Sequence, residues 1–176
     1  MRKKQIFLFA SMFLLLLSSC NTYRVTMNDP YGRYKVINPK WTIKTDQPNP
    51  QNLIQYDCLY IYKNPHQNIY SYQVLRFWPT GQVMQKYLTS DEFKDLDAQM
   101  GTFYHAYCDY YIIDGRNFTI EAFNSMYHTF RKGYIDEHGN LIMTESHLAG
   151  RQLPKWPEPA VFMKTKANLQ PLVPDW

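Results

Sequence analysis

Residues 69–88, IYSYQVLRFWPTGQVMQKYL, carry the reading on which the fold class turns. Ile69–Trp78 is a run of apolar, β-branched and aromatic residues; Pro79-Thr80-Gly81 breaks it, and Gln82–Leu88 returns. Two such runs around a Pro/Gly turn spell a β-hairpin. The same alternation continues on both sides. Upstream, Tyr56–Lys63 (YDCLYIYK) places Tyr56, Cys58, Tyr60 and Tyr62 on one face. Downstream, Gly101–Ile113 reads as a long aromatic strand, and Asp114-Gly115-Arg116-Asn117 turns it. Phe118–Phe123 (FTIEAF) then alternates, with Phe118, Ile120 and Ala122 on one face and Thr119 and Glu121 on a solvent face. Tyr127–Asp136 follows, Glu137-His138-Gly139-Asn140 turns it, and Leu141–Glu145 comes back. After a Pro-bounded loop, Gly150–Pro159, Ala160–Lys164 reads as a last strand.

Strands this short, with turn signals every 8–12 residues, predict a mainly β domain. The expected form is an antiparallel up-and-down meander, closing into a lipocalin-like barrel or half-barrel or packing as a sandwich. Closure would hide the edge N–H and C=O groups that otherwise invite aggregation. One break in the β text stands out. Thr89 followed by Glu92 is a capping-box pattern, and it predicts a short helix over Asp91–Met100.

Composition agrees. The chain of 176 residues holds 15 Tyr, 10 Phe and 4 Trp, a bias toward strands. Its 11 Pro mark turns and extended linkers. Residues 53–165 are expected to form the one β domain. Residues 20–52, with Pro30, Pro39, Pro48 and Pro50, read as a tether, in which Tyr34–Ile37 and Trp41–Lys44 could also be short strands packed on the domain, and 166–176 as a Pro-rich tail docked by Leu172 and Trp176.

The N-terminus supplies an address. Arg2, Lys3 and Lys4 precede Ile6–Leu17, an apolar run broken only by Ser11. That run is shorter than the roughly 20 residues of a membrane-spanning helix, and it fits a signal peptide over residues 1–19. It ends in Leu17-Ser18-Ser19-Cys20, which resembles the lipobox of bacterial lipoproteins. The resemblance implies that the Cys20 thiol takes a diacylglyceryl group, that cleavage precedes Cys20, and that the new amine is acylated. Two or three acyl chains anchor stably where one is marginal. Asn21, rather than Asp, follows the cysteine, which resembles the outer-membrane class in a Gram-negative envelope, on the periplasmic face. Net charge falls from +4 to about +1 once Arg2, Lys3 and Lys4 leave, so nothing in the charge points to nucleic acid. The turn-linked segments Leu75–Val83, Gly101–Glu121 and Phe130–Leu141 are similar to small lipocalin-like lipoproteins, a family that carries no catalytic residue over to this chain.

The residues that bear chemistry are sparse. Cys58 and Cys108 allow a disulfide in an oxidising compartment, two buried free thiols, or a reactive cysteine. The histidines, at 66, 105, 128, 138 and 147, lack metal-ligand spacing. Asp57, Asp109, Asp114 and Glu121 are isolated carboxylates, and no hydrolase elbow, P-loop or dinucleotide fingerprint is present. No cofactor, metal or enzymatic activity is therefore expected. Two functions remain: a cup whose aromatic lining holds a small apolar ligand, or a filled barrel that docks another envelope component.

Overall fold

The computed structural model describes residues 41–65, 69–123, 128–148, 158–174 and Trp176 in full, and the backbone alone of 25–26, 35–36, 124, 127 and 151–152. Cys20 and His66 lie outside the described residues. Two short strands, β1 (Val25–Thr26) and β2 (Lys35–Val36), pair with each other apart from the main sheet. The main sheet contains β3 (Cys58–Lys63), β4 (Tyr72–Phe77), β5 (Gln82–Leu88), β6 (Tyr107–Asp114), β7 (Asn117–Asn124), β8 (Tyr127–Ile135), β9 (Leu141–Leu148), β10 (Arg151–Gln152) and β11 (Ala160–Lys166).

Each strand from β3 to β9 pairs antiparallel with the next, and β11 lies between β9 and β3. The result is a closed up-and-down barrel of eight strands, with β10 only extending β9. The expected turns at 79–81, 114–117 and 137–140 are all present. At the second of them Gly115 has φ +58°, a conformation side chains resist. The strand expected over 101–113 begins only at Tyr107. The residues before it finish a helix and turn, with His105 at φ 54°. The helix expected over 91–100 is two pieces, α1 (Ser90–Phe93) and α2 (Leu96–Met100). They part because Asp95, at φ −115° and ψ 47°, leaves the helical region. The capping box is as predicted: Thr89 Oγ1 accepts from the Glu92 N–H at 3.2 Å, and the Thr89 N–H donates to Glu92 Oε2 at 2.8 Å.

Alternation sorts the apolar residues into two cores. Tyr60, Leu75, Phe77, Val83, Tyr111, Ile113, Phe118, Ile120, Ile135, Leu141, Met143 and Phe162 face inward from all eight strands. Each is at most 3% exposed. Their rings interlock edge to face, with Phe77 to Tyr111 at 4.8 Å and Tyr60 to Phe77 at 5.3 Å, an arrangement aromatic quadrupoles favour. A second cluster lies on the outer face of β3–β6, where Leu59, Val74, Met84 and Leu88 meet Met100 and Phe103. The tail completes that cover, as its two aromatic and aliphatic anchors suggested. Trp78 Nε1 donates to the Leu172 carbonyl at 2.7 Å, and Trp176 packs edge-on to Trp78 and Phe103. Buried Arg76 stitches the layer together, donating to the Met100 and Gln170 carbonyls at 2.7 Å each.

The inner wall is tight enough to demand a glycine. Gly133 stands beside the bulge at Lys132/Gly133, and a Cβ there would lie 2.0 Å from the Ile142 carbonyl oxygen and 2.8 Å from the Phe118 ring. Backbone cannot yield as a side chain can. We expect Gly133→Ala to lose about 3 kcal/mol, the upper end of overpacking costs, in urea unfolding. An unchanged midpoint would mean that the β8–β9 closure is looser than described.

Candidate functional site

Three places bring polar or open groups together. The first is inside the barrel, at the end where the β3–β4 and β5–β6 connections lie. Asp109 on β6 stands opposite Val83, and Gln85 opposite Tyr107, so both point inward. Each is 1% exposed. Arg131 Nη1 donates to Gln85 Oε1. The Asp109 carboxyl oxygens and Gln85 Nε2 have no hydrogen-bond partner. Burial pushes the Asp109 carboxyl up to about 7; the Arg131 charge and the nearby Phe123 main chain pull it down without offsetting that.

The second place is on the outer wall. Glu121 was expected to face solvent and is instead fully buried, at 0% exposure. The correction has a clear cause: residues 41–43, read from sequence as part of the tether, lie over it. Glu121 Oε2 accepts from the Thr42 and Ile43 main-chain N–H groups at 2.7 and 3.0 Å. Oε1 accepts from the Thr42 hydroxyl at 3.0 Å and lies 2.6 Å from His128 Nε2. Trp41 seals the contact against Tyr110 and Phe123, with ring centroids 4.7 and 4.6 Å away. Further along, the Pro48 carbonyl accepts from the Ile113 N–H at 2.7 Å, and the Asn49 side chain accepts from the Leu53 N–H at 2.8 Å. The chain is thus strapped to the barrel from Trp41 onward.

The third place is a groove of about 1270 Å³ lined by Tyr62 and Lys63 of β3, Gln73 of β4, Tyr87 of β5, Phe93 of α1 and Val161 and Met163 of β11. Met163 is 54% exposed and Val161 39% exposed, so the groove has an open apolar wall.

The remaining candidates do not converge. Cys58 and Cys108 are free thiols. They stand on strands separated by two others, three ladder spacings of roughly 4.8 Å apart, beyond the Cα separation a disulfide spans. Burial, with Asp57 close by, pushes the Cys58 thiol up. Asp114 closes the β6–β7 turn opposite Asn117. His138 lies 3.6 Å from Glu137 at the surface, and His147 lies 2.8 Å from Glu145 on β9. Among the described residues no three His, Cys, Asp or Glu side chains gather as metal ligands, and no helix is long and apolar enough to cross a membrane.

No protein-family model, no curated protein and no solved structure matches the chain.

Two outcomes follow from the two buried carboxylates, Asp109 and Glu121. Because folding raises the Asp109 value from about 4 to about 7, the folded state keeps a proton that the unfolded chain loses. Its favourable share is complete below about pH 4 and declines as the pH climbs to 7. Asp109→Asn should therefore gain stability over wild type by a few kcal/mol at pH 8 and little at pH 4. Urea unfolding at both pH values checks this, and a pH-independent difference contradicts it. At the strap, Glu121→Gln keeps the shape but turns a donor toward the Thr42 and Ile43 amides. We expect a loss of roughly 2–3 kcal/mol and faster tryptic cutting after Lys44.

Proposed function

We propose that this protein is a lipid-anchored lipoprotein of the Gram-negative envelope, held through Cys20 at the periplasmic face of the outer membrane. Its barrel is a solid platform that docks another envelope component; it neither encloses a ligand nor catalyses a reaction. The observation that carries the platform reading is the packed interior. A barrel of eight strands has room for one small ligand or for its own side chains. Here inward rings and aliphatic chains from every strand leave each other at most 3% exposed. A cup of the kind small molecules need has a void of roughly 300 Å³ or more; the twelve core side chains fill their part of the barrel, and their rings pack on one another.

The membrane part rests on Leu17-Ser18-Ser19-Cys20 and on the run before it. The strap gives that anchor mechanical meaning. Chain between Cys20 and Trp41 links the lipid to a fixed point on β7, through Glu121.

Mass spectrometry of the protein extracted from its own host's membranes tests both halves. The expected mass begins at Cys20 with added acyl chains, and no small molecule accompanies it in stoichiometric amount. Intact residues 1–19, or an unmodified Cys20, sinks the anchor. A stoichiometric apolar small molecule sinks the solid platform and restores the cup.

A further inference from the structure

We propose that the barrel rests on the bilayer with one end down, the end of the β3–β4 connection, and that Ile69 and Tyr70 enter the lipid headgroup layer there. The inference says which face meets lipid, and it rests on the anchor at Cys20 proposed above.

The two ends of the barrel differ. In its up-and-down order β3, β5 and β7 all finish on one side, and the turns 79–81, 114–117 and 137–140 lie on the other. On the turn side Ile54 packs into the inner core, with Leu53 and Tyr56 against it, so the chain before β3 closes the bore. Pro79, Thr80, Asp114, Arg116, Glu137 and His138 are the exposed side chains there, and none is large and apolar.

The other end carries a greasy tip. The last rung of the β3–β4 ladder is the Asn64 N–H donating to the Ser71 carbonyl at 2.8 Å. Ile69 and Tyr70 lie past that rung, 70% and 50% exposed. Their base is fixed: the Tyr72 ring stacks on Phe93 of α1 at 3.8 Å, and the Ser90 and Ser71 hydroxyls are 3.4 Å apart. Tyr87, next to the end of β5, adds a third exposed ring on this side. Tyrosine and isoleucine side by side suit the boundary between headgroups and acyl chains, where the aliphatic body is buried and the phenol stays wet.

The course of the chain decides which end meets the membrane. Trp41 packs on Tyr110 and on Phe123, the second-last residue of β7, so it sits toward the end that carries the tip. From there the chain descends. Thr42 and Ile43 meet Glu121, and the Pro48 carbonyl meets the Ile113 N–H near the opposite turns. Followed back toward Cys20, the chain therefore leaves the barrel on the side of Ile69 and Tyr70. Anchor and apolar tip share one end.

Charge narrows the kind of lipid. Asp91, Glu92, Asp95 and Asp97 are exposed on and between α1 and α2, which follow β5 from this end. Of the exposed lysines beside them, Lys63 and Lys94, the second is paired with Asp91 at 2.7 Å. Anionic headgroups attract basic surfaces, and this one is acidic. The contact is apolar insertion into zwitterionic lipid.

The test is methyl NMR of the full acylated chain from its own host, placed in phosphatidylcholine nanodiscs that contain spin-labelled lipid. The Ile69 methyl signal should broaden, while Ile135, beside the 137–140 turn, should not. Ile69→Ser combined with Tyr70→Ser should lower the docked population at least tenfold, the effect of removing one aliphatic and one aromatic contact. It is read as lost broadening at Val161, with the Ile135 signal unmoved as proof of an intact fold. Added phosphatidylglycerol should weaken the contact at low salt and not at high salt. Four results overturn the inference: Ile69 sharp on the disc, Ile69 and Ile135 broadened alike, Val161 broadening that survives the double substitution, or a contact strengthened by phosphatidylglycerol. Ile69 sharp on the disc but protected in native membranes would assign the tip to a protein partner instead. A chain acylated at Cys20 with a sharp Ile69 signal sinks this inference alone; an unmodified Cys20, seen by mass, sinks the anchor and this inference with it.

Discussion

Everything in this molecule depends on how β11 closes the barrel. It is shared between two neighbours, holding β9 with its first three residues and β3 with its last four. Closure converts a long meander, whose first and last strands would each expose an edge, into a ring with a buried interior. That burial is what makes the inner rings a core and what makes Asp109 costly to ionise. The tightest part of the wall, around Gly133, lies on the strands that brace β11 from the β9 side.

The two fully buried carboxylates show how much hydrogen bonding decides. Removing an ionised carboxylate from water costs several kcal/mol, while a hydrogen bond to a charged group returns roughly 1.5–3 kcal/mol. Glu121 collects two main-chain amides, a hydroxyl and a histidine nitrogen, so its burial is matched by partners. Asp109 has only the Phe123 main chain and the charge of Arg131 to draw on, and Arg131 is shared with Gln85, so its burial is not offset. One acid therefore fastens a segment to the outer wall, and the other is a destabilising inclusion in the inner one. Nothing in the structure explains why Asp109 is an acid rather than an apolar residue.

Local signals carried a large part of this fold. The hairpin over 69–88, the turns at Gly115 and Gly139, the Thr89/Glu92 box and the alternating FTIEAF strand are short-range features, and each appears where the residues place it. Apart from the helix break at Asp95, the failures are long-range. Glu121 looked solvated because its strand neighbours set only which face it takes; the cover comes from Thr42 and Ile43, some eighty positions away. The strand over 101–113 was drawn too long because Phe103 and Ala106 are apolar for a different reason, the packing of α2 and the tail on the outer wall.

The contrast between inner and outer faces bears on what such a barrel can do. Ligand-holding barrels spend their interior on a cavity and so cannot fill it with interlocked rings. Here the interior is spent on rigidity, and the exposed apolar surface has moved outside, to Val161 and Met163 on β11. The strap meets the barrel on this outer face too, at Trp41 and Glu121 on the wall of β6 and β7, so the inner packing is untouched by the segment that precedes the domain.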